Sequence, residues 1–212
     1  MKITHFGHAC ILVESGGARV LLDPGTFSTG YTELTELDAV LVTHQHFDHL
    51  DTEALAPLLD RNPAVTFVVE AATAGQLPDA VSGRAHVVAP GDRFDVSGLD
   101  VQVVGGTHAL IHADVPRIPN VGFYFHDFGL LHPGDELTPP NLEVELLALP
   151  ISGPWQKLSD TVDYLRAVAP ATAFPIHEAV TSRPGLFHAY LESLKPASTV
   201  FRVLEHGAST EL

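Results

Sequence analysis

"THQHFDHLD" (residues 43–51) sets His44, His46, Asp48 and His49 within six consecutive positions. The stretch before it, "AVLV" (39–42), is a short apolar run of the kind presented by a strand buried on both faces. The stretch after it, "DTEALAPLLD" (51–60), predicts a helix with Asp51 or Thr52 as cap and Leu55, Leu58 and Leu59 on its apolar side. The cluster therefore sits where a strand ends and a helix begins. Side chains two apart in extended backbone share a face, so His44 and His46 can chelate one cation. Asp48 and His49, entering the turn, can face a second cation beside the first.

Working outward, strands and turns alternate. "ACILVES" (9–15), Gly16-Gly17 and "ARVLLDPG" (18–25) predict a β-hairpin closing on Asp23-Pro24, and "TFSTGYTELTELD" (26–38) predicts a loop able to act as a flap. Beyond the cluster come strand "VTFVV" (65–69), a short helix around "EAATAGQL" (70–77), strand "AHVVA" (85–89), the turn "PGD" (90–92) and strand "DVQVVGG" (100–106), which runs into Thr107-His108. "VGFYFHDFGLLHPGD" (121–135) predicts a second hairpin, turning at Asp127-Phe128-Gly129 and finishing at Asp135. Strand "VELLALPI" (144–151) leads into "SGPW" (152–155), and "SDTVDYLRAVAP" (159–170) predicts a helix capped by Ser159 or Asp160 and stopped by Pro170. "ATAFPIHE" (171–178) is a strand with His177 at its end, followed by a helix over 184–195 and a strand "TVFRVL" (199–204). No fixed-period repeat or low-complexity tract interrupts this pattern.

Composition narrows the function. With 212 residues, 45% of them apolar, the chain can bury one substantial core, and no linker-like stretch divides it, which predicts a single domain over 1–212. The start, "MKITHFGHACILVESGG", is too short in its apolar run and too polar for a signal peptide or spanning helix, so a soluble, cytoplasmic protein without membrane contact is expected. A formal charge of −15 repels polyanions and disfavours bulk nucleic-acid binding. A small-molecule substrate remains, and Arg117, Lys157 or Arg183 could meet one phosphate group. The sequence leaves homo-oligomerisation open. The single cysteine, Cys10, lies in the apolar run "ACILV" and reads as a buried hydrophobe rather than a nucleophile.

A first-row metal ion needs ligands converging within roughly 2.0 to 2.3 Å. Two ions about 3.5 to 4 Å apart need more ligands than the cluster holds, ideally with a carboxylate between them. His108, Asp135 and His177 each follow an apolar strand and are placed to supply them. A structural zinc site is disfavoured, because such sites prefer thiolates and the cluster has none.

The order "THQHFDH", strand-end His108, "HPGD" ending in Asp135 and "FPIH" ending in His177 is similar to the metallo-β-lactamase superfamily over essentially the whole chain. The opening "ITHFGHACILVESGGARVLLDPG" resembles the branch of small metal-dependent hydrolases related to L-ascorbate-6-phosphate lactonase. The resemblance implies an α/β fold, a four-layer αββα sandwich. It puts His44, His46 and His108 on one divalent ion, Asp48, His49 and His177 on a second, and Asp135 between them. It implies that Asp23 orients ligand imidazoles and that His8 lies near the cavity. Tyr31, Phe47 and Trp155 are candidate pocket walls, from the flap-like loop, the cluster and a strand end. His112 stands close enough to His108 to compete for its place.

Zinc is the leading metal, with manganese, iron or nickel as alternatives, since imidazole and carboxylate suit all four. A bound metal can lower the pKa of water from about 15.7 to about 7. The expected chemistry is therefore hydrolysis of a small ester, lactone or phosphodiester by a metal-bridging hydroxide, with Asp48 and Asp135 as catalytic carboxylates. The alternative is a sensor or scaffold of the same fold with little turnover. A ribonuclease, a flavin-linked oxidoreductase and a secreted antibiotic-inactivating lactamase are disfavoured by the acidic charge, the chain length and the polar start.

Overall fold

The hairpin of β2 (Ile11–Ser15) and β3 (Ala18–Leu22) shows why the chain builds layers. Ile11, Val13, Val20 and Leu22 enter a central apolar core, while Leu12 and Leu21 point the other way into a second cluster. A sheet that is apolar on both faces must be covered on both, and the computed structural model, which describes residues 1–212, covers them.

β1 (Lys2–His5), β4 (Ala39–Leu41), β5 (Thr66–Glu70) and β6 (Ala85–Val88) join β2 and β3 in the first sheet. β7 (Arg93–Val96), β8 (Leu99–Gly105), β9 (Val121–Phe125), β10 (Leu130–His132), β11 (Leu146–Pro150), β12 (Thr172–Ile176) and β13 (Val200–Phe201) form the second. β14 (Ser209–Glu211) returns to pair antiparallel with β1, giving strand orders β14-β1-β2-β3-β4-β5-β6 and β13-β12-β11-β10-β9-β8-β7. The two sheets face each other across the central core, where Val121, Phe123 and Phe125 meet the inner residues of the first sheet. α1 (Thr52–Arg61), α2 (Ala71–Ala74) and α3 (Asp79–Ser82) belong to the first sheet's outer side, and α4 (Leu158–Val168) and α5 (Pro184–Leu194) to the second's. This is the four-layer αββα sandwich. No helix is long and apolar enough to cross a membrane.

Several local expectations need correction. The antiparallel hairpin of β7 and β8 was not legible, because Arg93 and Asp95 make β7 look like a polar turn. α3, a single turn, and β14 were also missed. α4 is capped at Lys157 rather than Ser159 or Asp160: the Asp160 carboxylate accepts the Lys157 backbone N–H at 2.8 Å, which makes Asp160 the third helical residue. The stretch 26–38 is not a free flap. Tyr31 and Leu37 are buried in the second cluster, and the Tyr31 hydroxyl faces Asp51 at 3.4 Å, so Tyr31 is a core residue and not a pocket wall.

Candidate metal centre

β3 and β4 run parallel, and the loops after them are tied together by Asp23. Its Oδ1 accepts the Thr43 backbone N–H at 2.8 Å, and its Oδ2 accepts the Thr43 hydroxyl at 2.8 Å and His49 Nδ1–H at 2.7 Å. With its proton given to Asp23, the Thr43 hydroxyl oxygen accepts His44 Nδ1–H at 3.0 Å. The Nε2 atoms of His44 and His49 are thereby turned to the site, that of His44 lying 3.0 Å from His46 Nδ1. The segment is clamped from outside as well. Asp51 caps α1 through Glu53 and Ala54 N–H, and a Cβ on Gly25 would lie 1.8 Å from the Asp48 carbonyl oxygen, so only glycine allows the turn to pack there.

The second sheet supplies the remaining donors. His108 follows β8 and gives Nδ1–H to the Ala109 carbonyl at 2.6 Å, while Arg117 donates to the His108 carbonyl at 2.8 and 3.1 Å. Asp135 follows β10, its backbone N–H held by Asn120 Oδ1 at 3.0 Å. His177 follows β12 and gives Nδ1–H to the Ser152 carbonyl. Three of the six non-glycine residues with positive φ belong here, His8 at 53°, Asp23 at 45° and His177 at 61°. Left-handed backbone costs such residues about 1–3 kcal/mol each, and their clustering fits a site whose geometry outranks local comfort.

Two groups of donors result. His44, His46, His108 and Asp135 form one, and His8, Asp48, His49 and His177 the other, with the donor atoms of each within 4.8 Å of one another. Asp135 joins the two: Oδ1 stands 3.1 Å from His49 Nε2, and Oδ2 stands 3.2 Å from both His108 Nε2 and His177 Nε2. Trp155 Nε1–H donates to the same Oδ2 at 3.0 Å. His49 Nε2, His177 Nε2 and Asp135 Oδ1 are nevertheless buried without an aligned hydrogen bond. Unmade bonds on buried polar atoms cost about 1–3 kcal/mol each, so three that converge on one spot fit divalent cations held between them.

Electrostatics points the same way. Burial opposes ionisation of Asp135, but His49 and His177 beside it hold its carboxyl well below the usual range. Burial likewise opposes charge on Asp48, which His177 and His8 keep ionised. Asp135 and Asp23 overcome burial at His49 and raise it well above its usual value, and Asp135 does the same at His177, pushing it to about 9. His44 shows the opposite outcome, burial driving it well below the imidazole range.

These shifts predict the pH dependence of metal-free protein. Burial lowers His5 and His8 to about 4, so below pH 6.5 the unfolded chain takes up protons that the fold refuses, and stability falls as pH drops towards 4. His177 has the reverse sign: its contribution is complete below 6.5 and is lost as pH rises through about 9. Urea midpoints of chelated protein should therefore peak near pH 6.5, each group contributing a limb of at most about 1.4 kcal/mol per pH unit. A monotonic rise from pH 4 to 9 would contradict this assignment of signs.

The other expected residues sort clearly. His8 is buried and its Nε2–H donates to Asp48 Oδ2 at 3.0 Å. Phe47 is 61% exposed and makes an edge-to-face pair at 5.4 Å with Phe27, which the sequence did not single out. Thr43, Ser152 and Glu178 were missed too; Glu178 Oε1 accepts the His8 backbone N–H at 3.1 Å. Only their position beside "TH", "SG" and "HE" marked them. Cys10 is fully buried, and burial raises its thiol well above the usual range, which leaves it inert. His112 is exposed beside Asp114, away from both groups. His108→Ala should therefore lower bound metal, and His112→Ala should leave it unchanged by elemental analysis; the reverse would show the wrong histidine had been chosen.

The chain is similar in sequence and fold to known proteins. The model of the Beta-lactamase superfamily domain matches residues 2–177. Protein Rv0786c of Mycobacterium tuberculosis is 44% identical over 99% of this chain and 100% of its own length. A UPF0173 metal-dependent hydrolase of Carboxydothermus hydrogenoformans is 31% identical over 84% of each chain. In fold the chain is similar to Igni18, a metallo hydrolase from Ignicoccus hospitalis, with a TM-score of 0.73 at 21% identity over 100% of this chain and 98% of that one.

Proposed function

Because the chain belongs to the metallo-β-lactamase superfamily and is a metal-dependent hydrolase of it, we propose that its two donor groups hold two divalent metal ions and that it cleaves a small ester, lactone or phosphodiester. The observation that carries the proposal is Asp135, set between His49, His108 and His177 with buried atoms still unpaired. His44, His46 and His108 hold one ion, Asp48, His49 and His177 the other, and Asp135 lies between. Zinc is the first candidate, with manganese, iron or nickel able to replace it. Bound divalent ions supply a nucleophile from water at neutral pH and Lewis-acid polarisation of the scissile group.

The chain's own residues do the rest. Asp48 is less deeply buried than Asp135, so substrate and water can reach it. Its carboxylate takes the proton lost by the attacking water and returns it to the leaving oxygen as the scissile C–O or P–O bond breaks. His8 Nε2–H, 3.0 Å from Oδ2, holds the carboxylate in place. Trp155 fixes Asp135 from the second sheet. Phe27 and Phe47 offer an apolar rim, which suits a compact substrate better than a polyanion. A cytoplasmic, single-domain enzyme acting on a small molecule is the setting we infer.

Metal-loaded protein should turn over at least one member of a panel of lactones, p-nitrophenyl esters and bis(p-nitrophenyl) phosphate, and leave structured RNA uncut at moderate salt. Efficient RNA cleavage without small-molecule turnover would refute the substrate class. No cleavage by protein carrying both metals would favour the low-turnover module instead.

A further inference from the structure

On the outer face of the second sheet, lined by none of the residues of the two donor groups, lies a cavity of about 430 Å³. Val104, Gly122 and Leu131, on three adjacent strands, line its sheet side, and Gly122 contributes no side chain. The loop from Glu136 to Leu142 contributes Pro139 and Pro140, and Tyr164 reaches it from α4. The volume falls at the lower end of the range for small-molecule sites, and the lining combines apolar surface with a few polar groups, as such sites do.

The decisive group is Tyr164. It is 2% exposed, and its hydroxyl has no hydrogen-bond partner, whereas the Tyr124 hydroxyl on the same sheet donates to the Glu143 carbonyl at 2.6 Å. A buried hydroxyl left unpaired is unfavourable, and an occupant of the cavity can supply the missing hydrogen bond. Glu136 lines the same space as Tyr164. No Lys, Arg or His lines the cavity, and Arg117, which acts on Glu136, lies outside the lining, so an anionic ligand would meet a carboxylate first. The net charge of −15 raises the local concentration of cations.

We propose that this cavity is a second binding site, for a compact primary amine whose ammonium group meets the Tyr164 oxygen and the Glu136 carboxylate while its apolar chain packs on Leu131, Leu142 and the prolines. Glu136 follows Asp135 directly, so the loop walling this site begins at the residue between the two donor groups of the metal centre.

Three probes with one body and different heads test the proposal: n-butylamine, 1-butanol and butyrate, titrated in amine-free buffer into zinc-loaded, ¹⁵N-labelled protein. Butylammonium should produce saturable amide shifts at Val104, Gly122, Leu131 and Leu142, butanol weaker ones, and butyrate none. Tyr164→Phe should weaken the amine about three- to tenfold, in line with one lost hydrogen bond. Leu142→Trp, which fills the cavity, should abolish it. If either variant fails to fold, the wild-type shift map and head-group ranking decide. Equal binding of butyrate, shifts mapping to His46 and His108 instead, or no saturable response to the amine by about 50 mM, an affinity under about 2 kcal/mol, would each overturn the assignment.

Discussion

Asp135→Ala should lower kcat/KM by about a thousandfold or more, equivalent to roughly 4 kcal/mol of transition-state stabilisation. It should also cut bound metal from about two equivalents to one or fewer, because Asp135 is the carboxylate set between the two donor groups. The reason is positional. His49, His108 and His177 each place Nε2 within 3.2 Å of this carboxylate, and Trp155 donates to it at 3.0 Å. Without it, three imidazoles lose the carboxylate they share, and Asp48 is left as the one carboxylate of the two donor groups. Elemental analysis and a turnover assay on the same preparation separate the two losses. Activity and metal content both preserved in the alanine variant would remove Asp135 from the centre of the site.

Asp23→Ala is the second large effect, and it falls on stability. Asp23 is fully buried and accepts the Thr43 N–H, the Thr43 hydroxyl and His49 Nδ1–H, all within 2.8 Å. Removing one partner from a buried charged network costs about 3–5 kcal/mol, mostly from the groups left unsatisfied. Urea unfolding of chelated protein should show that loss. Thr43→Val, which deletes one hydroxyl of the same network, should cost only about 1–2 kcal/mol. A cost for Asp23→Ala under about 1 kcal/mol would mean that the loops after β3 and β4 are held by something else.

Much of this was legible because its signals are short and local. The alternation in 11–22 shows two apolar faces, and the cluster at 44–49 sits between an apolar run and a capped helix. What was illegible depends on distant partners. β14 carries Ser209, Thr210 and Glu211 and has no apolar pattern; it is a strand because β1 offers an open edge. Tyr31 lies in a polar stretch, yet folding turns it into the core. Glu178 touches His8 across most of the chain's length, a contact that no spacing rule can anticipate.

The centre straddles the two sheets, with His44 to His49 on the first and His108, Asp135 and His177 on the second. Its donors cannot meet in a half-formed sandwich, so bound metal favours only the closed one. By mass action, free metal a thousandfold above its Kd adds about 4.1 kcal/mol to the folded state. The lifetime of the molecule in a cell should then follow metal supply, since proteases cut the opened form and a starved chain opens more often.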